Sequence, residues 1–527
     1  MSKETMSRRD ALRIGALGTV GVAMLTASNA MAAAPTEKDV KFDEEYDVIV
    51  IGTGFAGLAA AAKAAERGYK VLILEKMGRV GGNSVINGGG MAVPNSSWQK
   101  KYGIEDSGEM FIKDCLKAGL GINHVELLET IVKRSQDALD FSIKCGAKWQ
   151  DVKPAWFGGH SAPRSLVTDN MSGSGVIKPM HEFVEKLPGC KIMTRTKMDD
   201  FVMSADGTSV VGVTARINYR FDPKLLSDDV ENKTGEKKVY KAKKGVVLAS
   251  GGFSMDKVFR KIQDPRLVED MDATNHDGAT AGALLKAFQI GALPVHIDWI
   301  QQGPWASPDE RGFGVAPLLT QQGLFKFGVA VDVRNGKRFM NEMADRKTRA
   351  DAEYVILREA PKMYPVAIGT YNTFEEQIYP IIEKGLAAGG VMKKFDTLDA
   401  LAANYKIPAD ALKATVKKYN EDVKNGVEDE FKKQTLKGES LKELKGGDPI
   451  DMKGPFYAIR LVPKPHHTMG GLKINTKAQV ISANTNKPIP GLFAAGEVTG
   501  GTHGASRLGS CAIADCLVCG LVAGENI

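Results

Sequence analysis

The chain has 527 residues, 43% hydrophobic and 25% charged, which is enough to bury a large core and to divide into two or three domains and excludes a disordered or fibrous protein. Its formal charge of +7 is dilute, and part of it lies in a leader carrying Lys3, Arg8, Arg9 and Arg13 against Glu4 and Asp10, so there is no concentrated basic face for nucleic acid. The six cysteines show no disulfide spacing, and without a C-x-x-C-H motif the chain binds no c-type haem of its own, so reducing power has to come from another protein.

Residues 1–34 form the predicted leader. Arg8-Arg9 precede an apolar stretch from Ile14 that ends in the small residues Asn29-Ala30-Met31-Ala32-Ala33-Ala34; its Gly, Ala and Thr content favours processing over anchoring. The paired arginines resemble the twin-arginine export signal, used by proteins that fold around a cofactor before crossing the membrane. The expectation is a periplasmic protein with no stable membrane span after signal cleavage. Residues 35–45 read as a charged linker, with order beginning at Tyr46.

Val48-Ile49-Val50-Ile51 is a continuous apolar run, as expected of a strand buried on both faces of a parallel sheet. A glycine-rich turn, an alanine-rich helix over 58–67 and the run Val71-Leu72-Ile73-Leu74 complete a βαβ unit. Gly52-Thr53-Gly54-Phe55-Ala56-Gly57 falls between strand and helix, where backbone N–H groups and the helix N-terminus can hold a pyrophosphate. Glu75 closes the second strand and is placed to accept from ribose hydroxyls. Lys76, Gly81-Gly82-Asn83-Ser84 and Gly88-Gly89-Gly90-Met91 continue a glycine-rich lining past that acid. Such a lining lets the chain lie against a flavin, and it separates non-covalent FAD from a bare nicotinamide dinucleotide.

Residues 228–244 read as a charged, solvated hairpin. Gly245-Val246-Val247-Leu248-Ala249 then forms an apolar strand entering a double-glycine turn. From about Trp299 the pattern changes to mixed loops and helices, including a charged helical stretch over 409–429, and from His466 apolar strands return. Gly491-Leu492-Phe493-Ala494-Ala495-Gly496-Glu497 brings the C-terminal region back to the cofactor. The expected fold is α/β: a Rossmann-like FAD-binding domain built from two sequence segments, 46–298 and 466–527, with an inserted α+β cap domain at 299–465. Cys516 and Cys519 read as part of a packed apolar helix, and no metal site is expected.

The segments 46–91 and 245–253, Arg338-Phe339-Met340-Asn341-Glu342 with Arg346, His466-His467-Thr468-Met469-Gly470-Gly471, and Gly496-Glu497-Val498-Thr499-Gly500-Gly501-Thr502-His503-Gly504-Ala505-Ser506-Arg507-Leu508-Gly509 resemble the flavocytochrome c and periplasmic fumarate reductase flavoprotein family, over nearly all of 46–527. The resemblance implies reduction of a C=C bond beside a carboxylate, with electrons from a separate multihaem cytochrome c. It implies that Arg346 donates a proton to the substrate and that His466 and Arg507 hold a carboxylate, with Thr320 and Ser510 counted among the substrate residues. His467, Glu497, Ala512 and Ile513 are implied to touch FAD.

The pattern breaks at the second carboxylate. Where the family has a histidine in an A-H-P segment, this chain has Gly303 in Gln301-Gln302-Gly303-Pro304-Trp305; the relay glutamate is Gln321, and the relay arginine has no match among Gly323, Leu324, Phe325 and Lys326. A pocket offering Trp305, Trp156 and Phe157 leaves a second carboxylate unpaired at a cost of several kcal/mol. The expected substrate is therefore a 2-enoate with one carboxylate: methacrylate, acrylate, or an aryl acrylate such as cinnamate or urocanate. Lys326, Lys347 or water replaces the relay glutamate in this reading. The alternatives are a fumarate reductase and a non-catalytic, electron-carrying flavoprotein.

Overall fold

The computed structural model describes residues 34–267, 271–375, 378–387, 389–433 and 448–527, so the expected export signal lies outside the described residues except for Ala34. In chain order, β1 (Glu44–Ile51), α1 (Phe55–Glu66) and β2 (Val71–Leu74) form the first βαβ unit. They are followed by β3 (Cys190–Met193), β4 (Lys197–Met203), β5 (Val210–Ile217) and β6 (Glu236–Leu248). With β14 (Gln479–Ile481) and β15 (Pro488–Ala494) these strands build one sheet in the order β14-β15-β6-β1-β2-β3, parallel from β15 to β3, with the β4–β5 hairpin on β6. Val48 to Val50 and Val71 to Ile73 have no exposed surface, which is why those strands read as unbroken apolar runs.

The C-terminal helix α4 (Cys511–Asn526) crosses α1 directly. Added Cβ atoms at Gly520 and Gly524 would stand 2.4 Å from Ala56 O and 2.5 Å from Ala60 O, so the crossing depends on small residues on both helices. Arg67 then donates to the carbonyls of Gly524, Glu525 and Ile527 at 2.8–2.9 Å, satisfying the end of α4. In this way the last segment of the chain is fixed beside the phosphate turn of the first.

A second layer consists of β8 (Val329–Asp332), β9 (Lys337–Arg338), β10 (Val366–Thr370), β11 (Met392–Phe395) and β12 (Phe456–Arg460), antiparallel in the order β9-β8-β10-β12-β11. Alternation along its strands gives it two apolar faces. Val329, Val331, Val366 and Ile368 pack on Leu412, Val416 and Tyr419 of α3 (Ala409–Lys424), while Ala330, Ala367, Tyr457 and Ile459 share a core with Trp305, Leu319 and Phe325. Two strands carry the chain between the sheets, β7 (Ile300–Gly303) and β13 (Lys464–Thr468). They pair antiparallel, with Gln301 opposite His467 and Gly303 opposite Lys464.

Two expectations are corrected. Order begins before Tyr46: the Glu37 N–H donates to Met203 O at 2.8 Å and the Asp43 carboxylate accepts from the Val239 N–H at 2.8 Å, because backbone groups of β4 and β6 take up the preceding segment. The stretch over 228–244 is not a solvated hairpin. A short helix, Asp228–Glu231, leads into the thirteen-residue β6, and Asp228 and Asn232 are buried and bonded to each other, with Tyr219 also donating to Asp228.

Candidate active site

Two neighbouring cavities share Phe55, Asn83, Ser84, Glu497 and Cys516 in their walls and so form one extended trough. Gly52, Gly54, Ala56, Glu75, Lys76 and Ala249 line one end. At Gly52 φ is +104° and an added Cβ would stand 2.4 Å from Ala249 O, so glycine is required for β1 to turn this closely beside the end of β6. Gly54 has no side chain to cap α1, and although the Phe55 N–H donates to Ser84 Oγ (3.1 Å), no N-cap side chain blocks the helix N-terminus from an anion. The Glu75 carboxylate is held at the wall by the Thr53 hydroxyl (2.5 Å) and the Met77 N–H (2.9 Å), and Lys76 donates to Thr280 Oγ1 (2.6 Å). Gly88, Ala512 and Ile513 line the other end, near His467. A trough with an anion-accepting turn at one end and apolar walls at the other fits FAD.

Gly57 and Gly89 do not line the trough. Added Cβ atoms there would meet Gly52 O at 2.0 Å and Thr168 Oγ1 at 2.3 Å, so these glycines permit close backbone packing instead.

Beyond Phe55 and Ser84 the trough opens on Arg346, His466, Arg507 and Ser510, walled by Phe157, Trp305, Phe313 and Leu318. Arg346 is the first residue of α2 (Arg346–Glu359), whose start is fixed by the Asp345 side chain accepting from the Thr348 N–H at 3.1 Å. Its guanidinium donates to Gln301 Oε1 (3.0 Å) and lies 5.3 Å over the Trp305 ring. The Gln301 amide donates in turn to Arg507 O (2.8 Å) and to Ser506 Oγ (3.2 Å), so one side chain of β7 holds both arginine-bearing segments. Arg507 bonds to Leu508 O (2.9 Å) and His466 Nε2 (3.1 Å). Arginine can only donate, so His466 accepts at Nε2 and carries its proton on Nδ1, which donates to Thr274 Oγ1 (2.7 Å).

Burial, reinforced by Arg346 and Arg507, holds His466 well below its ordinary range, so the ring is neutral. Burial, then Arg507 and Arg349, depresses Arg346 far below an ordinary guanidinium; burial also lowers Arg507 and brings Arg349 down to about 10. Burial pushes the Glu497 carboxyl up, which weakens it as a counter-charge. The hydrogen-bond partners of the three arginines are all neutral: Gln301, Gln321, His466 and the carbonyls of Glu342 and Leu508. Desolvated cations facing only neutral partners create a strong demand for an anion.

The FAD binding domain family matches residues 47–513. The chain belongs to this family of FAD-binding flavoproteins. It is 40% identical to the acrylate reductase flavoprotein subunit of Shewanella woodyi over 99% of this chain and 98% of that one. It is 34% identical to the urocanate reductase of Eggerthella lenta over 92% of this chain and 74% of that one. Among solved structures, the open conformation of a flavocytochrome c3 fumarate reductase superposes with a TM-score of 0.69 at 30% identity, covering 97% of this chain and 80% of that one. The Rossmann-like α/β architecture and the FAD cofactor expected from the sequence are thus those of the family.

Several expected positions of this flavoprotein fall elsewhere. Thr320 is fully buried in a π-helical turn, Thr320–Leu324, and its hydroxyl donates to the carbonyls of Ala316 (2.7 Å) and Trp305 (3.0 Å), away from the cavity. Trp156 is turned to His160 O (2.8 Å) and does not line the cavity, whereas Phe157 does. Lys326 pairs with Glu375 at 2.7 Å and Lys347 with Asp351, and neither lines the cavity. The residues missed from the sequence are Gln301, Thr274, Phe313 and, behind Arg346, Arg349 and Glu353. The last two follow Arg346 by three and seven positions, a charged stripe on one helix face that was open to reading. Among the described residues no helix is long and apolar enough to cross a membrane, and no cluster of potential metal ligands occurs.

Proposed function

We propose that this flavoprotein reduces the C=C bond of a small α,β-unsaturated monocarboxylate of the acrylate or methacrylate class. It would act in the periplasm after twin-arginine export, with electrons drawn from a separate multihaem cytochrome c. The observation that carries the reading is at Gly303. An added Cβ there would stand 2.6 Å from the Trp305 ring, so the indole occupies the space into which a side chain at 303 would grow. Trp305 also packs edge-on against His466 with ring centres 4.7 Å apart, and against Phe313 at 5.9 Å. An aromatic wall stands where a diacid needs a second donor, and stranding a carboxylate against it costs several kcal/mol. The likeness to an acrylate reductase subunit over nearly the whole of both chains supports the same assignment.

Bound FAD supplies the hydride. The residues of this chain do the rest. Arg507, with its Nε free of protein partners, receives the substrate carboxylate, and charge that builds there and on the α carbon is stabilised by fixed donors in a dry site. His466, neutral and locked to Thr274, orients Arg507 through Nε2. Arg346 gives the α-carbon proton. Guanidinium is a poor acid in water, and burial beside two other arginines is what makes it competent. An Arg346→Ala variant is expected to retain FAD and to lose about 10²–10⁴-fold in acrylate-dependent oxidation of reduced viologen. Near wild-type turnover in a variant that holds FAD would remove Arg346 from this role.

A further inference from the structure

α2 carries more than Arg346 on its inward face. Arg349 and Glu353 follow at one-turn intervals, with 1% and 0% of their surfaces exposed. Arg349 donates to Gln321 Oε1 (3.2 Å) and Glu342 O (3.1 Å) and lies 5.3 Å over the Phe325 ring. Both oxygens of Glu353 lack a hydrogen-bond partner, as do Arg349 Nε and Gln321 Nε2. A buried carboxyl with both oxygens unpaired is destabilising by roughly 1–3 kcal/mol or more, so its presence behind a reacting group calls for a functional explanation. The turn that carries Gln321 holds a glutamine, which cannot pass a proton by ionising.

We infer that Glu353 and Arg349 form the proton supply of Arg346, a relay built on a single helix face and running Glu353 to Arg349 to Arg346 to the substrate α carbon. This rests on the reading of Arg346 as the proton donor to an enoate. In each turnover the C=C π bond is replaced by two C–H bonds, one from hydride supplied by reduced flavin at the β carbon and one from an Arg346 N–H proton at the α carbon. Arg346 recovers its proton from Arg349, Arg349 from the Glu353 carboxyl, and Glu353 from solvent. Gln321, bonded to Arg349 and lining the cavity, acts as a positioning residue for the middle group. Burial keeps the Glu353 carboxyl protonated well above its ordinary range, and Arg349 is the charged group that opposes this.

The test uses FAD-loaded full-length protein, reduced viologen and acrylate, comparing wild type with Glu353→Gln, Arg349→Gln and the double variant. Each single variant is expected to lower kcat by about 10²-fold while KM and FAD content hold. The solvent deuterium isotope effect on kcat should increase, and the double variant should be no slower than the slower single, because the groups act in series. Glu353→Asp, which keeps the carboxyl, should recover part of the rate. Wild-type kcat in Glu353→Gln, or multiplicative losses in the double variant, overturns the relay. If Glu353→Gln does not hold FAD, Arg349→Gln decides, with unchanged kcat overturning the inference. A wild type inactive on every enoate defeats the functional reading itself, and that result is visible before any variant is made.

Discussion

Buried ionisable groups around the site tie its chemistry to stability. His466 and His467 are held neutral, mainly by burial, so the fold keeps their contribution in full above the unfolded value near 6.5 and loses it as pH falls, when the unfolded chain takes up protons that the folded one refuses. Glu353 acts in the opposite sense. Its folded carboxyl keeps a proton that the unfolded chain releases above 4.5, so stability is lost as pH rises from there. Glutamine mimics the neutral carboxyl without this loss. Glu353→Gln should therefore match wild type in thermal unfolding near pH 4.5 and exceed it at pH 8; parallel stability curves over that range would show that Glu353 is ionised in the folded state. Residue types at the proposed carboxylate clamp were legible in the sequence because His466, Arg507 and Arg346 sit in motifs. Side-chain direction was not. Thr320 fits the expected pattern, yet its hydroxyl is spent on the carbonyls of Ala316, one turn back, and Trp305, fifteen residues away, contacts that motif spacing does not encode.

At the scale of elements, the crossing of α1 and α4 sets the shape of the trough. Gly520 lies against the backbone of Ala56, and α4 carries Ala512 and Ile513 at the cavity wall. Gly520→Val forces side-chain carbons into that backbone and should destabilise the protein by about 1–3 kcal/mol. Thermal melts should show a lower Tm together with FAD release at lower temperature than in wild type; an unchanged melt means that the helices can separate without cost. The elements legible in advance were those with a single environment. β1 and β2, buried on both faces, read as apolar runs, and α1 as an alanine-rich stretch. β6 was hidden because lysines break up the stretch before Gly245, where only Tyr240 and Ala242 enter the core, and the unbroken buried run begins at Gly245. The segment over 35–45 was hidden for a related reason: backbone bonds to β4 and β6 order it, and backbone bonds leave no trace in side-chain composition.

For the whole molecule, the organisation follows from where the two layers meet. The parallel sheet and α4 hold the cofactor trough, and the antiparallel layer contributes α2 with Arg346 and the core that seats Trp305. The paired β7 and β13 join them, and the same two strands carry Gln301, Gly303, His466 and His467. In the proposed function, substrate choice is set at this junction, by one position without a side chain and the indole that fills its space. The most direct measurement is the rate at which the reduced, FAD-loaded protein is reoxidised anaerobically by acrylate, methacrylate, cinnamate, urocanate and fumarate at equal concentration. Acrylate or methacrylate should reoxidise the flavin fastest, with fumarate slower by about 10²-fold or more, as expected for several kcal/mol of lost pairing. Fumarate fastest of the five, or no compound faster than buffer alone, would contradict a site built for one carboxylate.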